Sequence, residues 1–333
     1  MKCRVRLDGI AVALTMAIFG APAALADGAE FYKGKTVTYI VATAPGGGYD
    51  TYGRLVAEYM QRHLPGSIFV VKNVPGAGHL NGANTIFASP SDGLTIGTFN
   101  TGILYSQLIQ HRGVKFDLQQ MSWIGKAATD PHIIVLADHV PIKTFEELRT
   151  HKTPLKFASG GVGSSAYVEI ALLTAAMSLP IKILTGYDGN QDSLAMRRGE
   201  IDGTMGSRST WEQFKTSGYG RFVGQFGGND KDVPQVTSFT KDPKMLAVMK
   251  LLQVHGDVAR LTAGPPGIPV DRLEALRTAF RKAMEDKELQ ARAEKLARPL
   301  EPAFGEEVAA MIKDAFNQSP EVIAVLKQAM GDK

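Results

Sequence analysis

From Lys35 onward the apolar positions switch between two spacings. Thr36-Val37-Thr38-Tyr39-Ile40-Val41 is a β-branched and aromatic run, Pro45-Gly46-Gly47-Gly48 interrupts it, and Tyr52, Leu55, Val56, Tyr59 and Met60 then recur at helical intervals. A second unit follows: Ile68 to Val71 predicts a strand, Pro75-Gly76-Ala77-Gly78 a break, and His79 to Ala88 a helix. Leu94 to Thr98 is a third strand. Strand and helix patterns in alternation predict a largely parallel sheet with right-handed crossovers.

The pattern then repeats. His132 to Leu136, Leu155 to Ser159, Ile181 to Leu184 and Gly203 to Gly206 read as strands. Helical spacing falls on Thr144 to Thr150, from Gly163 to Ser178, on Asp192 to Gly199 and on Thr210 to Phe214. A Gly/Asp/Pro-rich stretch runs from Gly227 to Pro243. Asp257 to Thr262 then predicts a return strand and Pro265-Pro266-Gly267-Ile268-Pro269 a stiff bend. Helices dominate the end, with Leu273, Leu276, Phe280 and Met284, and then Val308, Met311, Ile312 and Phe316, at spacings of one helical face.

The N-terminus breaks the pattern. Lys2, Arg4 and Arg6 precede an apolar run from Ile10 to about Phe19, and Ala24-Leu25-Ala26 supplies a small-residue cleavage site, so residues 1–26 read as a cleaved secretory signal. The run is short of the roughly 20 residues that span a bilayer, and no later window reaches that length without charges. The mature chain is expected to begin near Asp27, in the periplasm.

Composition sharpens this. The full sequence has 333 residues, 44% of them hydrophobic, which suits two lobes better than one core. Its one cysteine, Cys3, leaves with the signal, so disulfides, thiol nucleophiles and cysteine-ligated metals are excluded from the mature protein. The formal charge of +4 contains no Lys/Arg run and gives no nucleic-acid footprint. The seven histidines are scattered without H-x-x-x-H spacing, so no metal site and no cofactor is expected.

Candidate chemistry lies in the glycine loops. Ala44 to Asp50 and Pro75 to His79 each connect a strand to a helix, where free backbone N–H groups face an anion outside the strand ends. Tight connecting turns are the alternative. Neither loop carries the Gly-Lys-[Ser/Thr] of a nucleotide-phosphate loop. Gly161-Val162-Gly163-Ser164-Ser165-Ala166 matches the dinucleotide-binding G-x-G-x-x-A pattern, with Asp188 somewhat late as the acidic partner. Ser207 lacks the surroundings of a hydrolase nucleophile elbow.

Taken in order, Phe31-Tyr32-Lys33-Gly34-Lys35, Pro45 to Asp50, Asn73 to Gly78, Ser91-Asp92-Gly93, Gly160 to Ser165, Thr185-Gly186-Tyr187, Arg198 to Gly203 and Ala263 to Pro269 resemble the substrate-binding receptors of tripartite tricarboxylate transporters, the Bug family. The resemblance implies an α/β, two-lobed type II periplasmic-binding-protein fold with hinge strands: lobe 1 from residues 27–125 and 258–333, lobe 2 from 126–257, and crossings near Ser122 to Ala128 and Asp257 to Thr262. It implies a non-enzymatic monomer that captures a small organic acid and delivers it to membrane permease subunits. Ligand-binding positions carried over are Gly46, Gly47, Gly48 and Tyr49 from the first loop, Gly78 and His79 from the second, and Asn100. From the other lobe come Ser159, Gly163, Ser164, Ser165, Tyr187, Asp188, and Thr204 or Ser207. This chain departs from the common pattern at Thr43-Ala44, where many members have proline or phenylalanine, and at His79, where glycine is usual.

Asp50 is expected to shape its own loop, because two buried carboxylates repel. Arg208 is either a partner for a second carboxylate or a solvated arginine at a helix start. Two rival functions stay open: an exported enzyme using Ser164 or His79 on an organic acid, and a sensory receptor docking to a signalling partner.

Overall fold

The computed structural model describes residues 28–331; the signal reading of 1–26 falls outside them. Among the described residues eleven strands form two sheets. The first contains β1 (Thr36–Val41), β2 (Ile68–Asn73), β3 (Thr95–Thr98), β4 (Ser122–Lys126), β10 (Leu261–Gly264) and β11 (Ala303–Phe304), in the order β11-β4-β10-β3-β1-β2. The second contains β5 (His132–Ala137), β6 (Leu155–Ser159), β7 (Ile181–Thr185), β8 (Gly203–Ser207) and β9 (Gly220–Phe226), in the order β7-β6-β8-β5-β9.

The sheets share a plan. Each has a parallel trio, β2-β1-β3 or β7-β6-β8, flanked by an antiparallel strand, β10 or β5, that enters from the crossing between sheets. Burial follows position. β5 is buried at every residue, as its unbroken His-Ile-Ile-Val-Leu-Ala run requires, whereas edge strand β2 alternates between exposed and half-buried. Helices Gly48–Arg62 and Val270–Glu285 cover one face of the first sheet through Leu55, Val56, Leu276 and Phe280. A second core starts under its other face at Ile40, Leu80 and Phe99 and continues through Val135 and Phe157 into the second sheet.

Three elements depart from the sequence reading. Asp257 ends a helix, Pro243–Asp257, started by the Asp242 side chain accepting from the Lys244 and Met245 N–H groups; the return strand begins only at Leu261. Gly220–Phe226, which was not read as a strand, is β9. The terminal helix Pro320–Met330, counted with lobe 1, packs against helices Ser165–Met177 and Pro243–Asp257 of the second sheet. Val322, Leu326 and Met330 are its buried stripe, and the apolar face that accepts them lies across the crossing.

Candidate functional site

Between the sheets lies a cleft of about 100 Å³, walled by the loops that follow β1, β2, β3, β6, β7 and β8. These are the carboxyl ends of both parallel trios, where open α/β sheets leave a crevice.

The first loop is held from behind. Asp50 accepts from the Gly46 N–H (3.1 Å), from Asn73 Nδ2 (2.9 Å) and from Arg54 Nε (3.0 Å). Burial raises its pKa, but the hydrogen bonds from Arg54, Asn73 and Gly46 outweigh that and hold it below the usual carboxylate range. Asp50 thus faces away from the cleft, and Gly47, Gly48 and Tyr49 line it. Gly46 lies outside this cavity, against Asn190.

The second loop needs four consecutive left-handed residues: Gly76 (φ 111°), Ala77 (50°), Gly78 (62°) and His79 (74°). Gly78 does not line the cleft; it packs against the Val162 carbonyl of the opposite loop. His79 does line it, with Nε2 3.3 Å from Asp188 Oδ1 and its buried Nδ1 without a partner. Asp188 also accepts from the Ala44 N–H at 3.1 Å and the Gly189 N–H at 2.8 Å. Its pKa is raised by burial and lowered more by His79 and these N–H groups, so it stays charged.

Asn100 ties the lobes together, donating to Ser165 Oγ at 3.0 Å and accepting from the Ser165 N–H at 3.3 Å. Ser159, Ser164, Ser165, Tyr187 and Ser207 line the second wall. Ser164 is the N-cap of helix Ser165–Met177, its Oγ accepting from the Tyr167 N–H and donating to the Gly161 carbonyl at 2.8 Å.

Besides Gly46 and Gly78, three candidates lie outside the cleft lining. Thr204 is buried beneath the wall, donating to the Ala158 carbonyl at 2.9 Å. Gly163 (φ 96°) faces Ser106. Arg208 turns away to pair with Asp230 (2.6 Å) and Glu212 (3.2 Å), so the second-carboxylate reading of Arg208 is corrected: these acids neutralise it outside the cleft.

The cleft also holds residues that were not foreseen: Asp192, Thr210, Trp211, Met205 and Arg260. Arg260 is 2% exposed, bonded through Nη2 to Asp130 at 2.6 Å and stacked 4.2 Å from the Tyr49 ring centroid. Its Nη1 has no partner. The sequence held one signal for it, a lone cation inside the apolar run Val258-Ala259-Arg260-Leu261.

Behind Ser207 lies a buried chain of titratable groups. Ser207 Oγ stands 3.4 Å from His132 Nε2, His132 Nδ1 is 2.6 Å from Glu169, and Glu169 is 2.9 Å from His255 Nδ1. Burial raises the Glu169 pKa, but His132 and His255 together pull it well below the usual range; burial pushes His255 down.

Two sheets with strand ends meeting across a cleft are the architecture of two-lobed periplasmic binding proteins. Residues 53–327 match the tripartite tricarboxylate transporter family receptor, and the chain belongs to that family. A UPF0065 protein in the tcbD-tcbE intergenic region of Pseudomonas sp. (strain P51) is 25% identical over 289 residues, covering 84% of this chain and 81% of the relative. In fold the chain is similar to the periplasmic binding protein BugD, with a TM-score of 0.75 at 19% identity over 90% of this chain and 98% of that one. It is similar also to MatC from Rhodopseudomonas palustris with bound malate, with a TM-score of 0.72 at 18% identity over 88% of this chain and 99% of that one.

Proposed function

We propose that this receptor closes on a small organic carboxylate in the periplasm and presents it to the membrane subunits of a tripartite permease. The observation that carries the reading is the buried Nη1 of Arg260, a cationic donor without a partner in the wall of the interlobe cleft. A buried charged donor left unpaired is costly, and a ligand carboxylate repays it. The backbone of Gly47 and Gly48 lies beside that guanidinium, and a side chain at Gly48 would collide with it. MatC, similar in fold, is described with bound malate, which supports the same class of ligand.

Thermal-shift screening against short mono-, di- and tricarboxylates tests this, since a ligand at a hundred times its Kd adds about 2.7 kcal/mol of apparent stability. No stabilisation by any carboxylate overturns the reading. Export after Ala26 is checked by N-terminal sequencing of the periplasmic product, and a monomeric state by light scattering.

Ser207, His132 and Glu169 fall in the order of a serine–histidine–carboxylate relay, which bears on the enzymatic alternative. The donors that would hold an oxyanion beside Ser207 are already used: the Arg208 N–H bonds the Pro131 carbonyl at 2.8 Å and the Ser209 N–H bonds Asp130 at 3.0 Å. Ser164, the other serine considered, spends its hydroxyl capping its helix. Both arrangements favour a receptor that returns its ligand unchanged.

A further inference from the structure

Glu169 lies fully buried in the second lobe between two buried imidazoles, His132 at the start of β5 and His255 near the end of helix Pro243–Asp257. Three such donors within 4.8 Å of one another could ligate a cation, but their spacing is wrong for one. The Nδ1–O separations of 2.6 and 2.9 Å are hydrogen-bond lengths, whereas ligands about 2.0–2.2 Å from a zinc ion stand roughly 3.3 Å apart in a tetrahedron. Spacing of this kind suits a shared proton.

The cluster reaches from the cleft to the first lobe. At one end Ser207, in the cleft wall, stands against His132. At the other the first lobe covers His255: Tyr105 of helix Ile103–Leu108 stacks on its ring with centroids 4.9 Å apart, and the Thr101 carbonyl faces it. Both histidines also adjoin the chain crossings, since His132 follows Asp130-Pro131 and His255 precedes Gly256, whose carbonyl accepts from the Asp130 N–H. The titratable groups that face His255 are Glu169, His132 and the Tyr105 hydroxyl, which burial keeps neutral. The other elements packed on its helix bring apolar residues, Phe226, Val236, Ile312 and Leu326.

One proton shared by the two histidines balances the Glu169 charge. A second leaves a net positive charge where water has no access, which burial opposes. Burial accordingly pushes His255 below the usual histidine range.

We propose that closure is proton-linked through this cluster: the closed form holds one proton on His132 and His255 and the open form, with Tyr105 and Thr101 withdrawn, holds two, so acid opens the receptor and weakens ligand binding. The inference rests on the reading of the chain as a receptor that closes on its ligand, and adds a control to it. Above the usual histidine value of about 6.5 both forms hold the same number of protons and the linkage vanishes; below it the open form gains a proton that closure expels. Two other groups of the cleft work in the opposite sense. A proton on His79 sets a full charge opposite Asp188, and one on Asp192 neutralises a buried carboxyl lifted to about 7. Differences between variants therefore isolate the cluster.

Calorimetry at pH ~6 in two buffers of different ionisation enthalpy counts the protons exchanged on binding, with malate, succinate and citrate as probes. The wild type is expected to release about one proton more than His255→Gln. Glu169→Gln, whose closed site has no charge to balance a proton, is expected to release about one more than the wild type. Lowering the pH from ~7.5 to ~5.5 is expected to weaken the wild type ~10-fold relative to His255→Gln. Melting temperatures without ligand report which variants fold, and either comparison decides alone. Equal proton counts in variant and wild type, or fewer protons released by Glu169→Gln than by the wild type, overturn the inference and leave the carboxylate receptor standing. Binding by none of the probes overturns the carboxylate reading, and scattering from the ligand-free protein then decides the linkage. A radius of gyration that grows from pH ~8 to pH ~5 in the wild type but not in His255→Gln sustains it, and radii that do not change with pH overturn it.

Discussion

Arg260 combines a left-handed backbone, φ 56°, with a guanidinium bonded to Asp130 and stacked on Tyr49 and Tyr52. Removing one partner of such a buried pair leaves an uncompensated charge, so Asp130→Asn is expected to cost about 3–5 kcal/mol in denaturant unfolding. A loss below about 1 kcal/mol would show the pair to be wetter than its geometry implies. Asp192 carries the opposite kind of strain. A folded-state carboxyl lifted to about 7 favours the protonated form, so its contribution is fully present at low pH and is lost as pH rises from the ordinary value near ~4 through that range. Asp192→Asn should therefore raise the melting temperature of the ligand-free protein more at pH ~8 than at pH ~4. An equal shift at both values removes the pH argument. The sequence marked Arg260 only as a lone cation in an apolar run and did not mark Asp192 at all. Asp130 and Arg260 are 130 positions apart, and one sequence gives no means of pairing them. Asp192 reads as an ordinary first-turn acid until the lobes enclose it.

At the scale of elements the reading succeeded where chemistry and period agree. β1 and β6 have the expected ends because their strand-forming runs, β-branched in β1 and built on Leu155 and Phe157 in β6, stop at glycine-rich breaks, and the two Pro-Gly loops were recognised because a close backbone approach demands glycine. It failed where composition misled. Helix Pro243–Asp257 follows a Gly/Asp/Pro-rich stretch, although Asp242-Pro243 is itself a helix-start signal. Local composition also hid that the loops meet: a Cβ on Gly78 would press on the Val162 carbonyl of the opposite lobe. Gly78→Ala should thus incur the roughly 1–2 kcal/mol left-handed penalty and, in addition, weaken ligand binding by ~10-fold or more by opposing closure. Gly34→Ala, at φ 68° with open space around it, is the control that bears the backbone penalty alone. Equal affinity in the two variants would separate Gly78 from closure. The Ser164 cap offers a simpler check, since Ser164→Ala is expected to destabilise by about 1 kcal/mol.

For the whole molecule, closure rests on a few bonds across the cleft. His79 to Asp188, the Ala44 N–H to Asp188, and Asn100 to Ser165 each link one lobe to the other. Two chain crossings join the lobes, tied to one another by the Ala127 N–H to Arg260 carbonyl bond at 3.0 Å and the Asp130 N–H to Gly256 carbonyl bond at 3.0 Å. We infer that rotation occurs about these paired crossings, because they are rigidly bonded while the cleft contacts are polar and replaceable by water. The third connection, the terminal helix packed on the second lobe, limits how far the lobes part. Asp188 carries two of the latches, so Asp188→Ala should shift the ligand-free population toward the open form. Small-angle scattering then shows a larger radius of gyration for ligand-free Asp188→Ala than for the wild type, and saturating ligand brings both to the same compact value. Its affinity falls because part of the binding energy goes into closing a cleft that no longer latches itself. Identical ligand-free radii together with reduced affinity would mean that Asp188 acts on the ligand directly and that closure is held by Asn100 and Ser165.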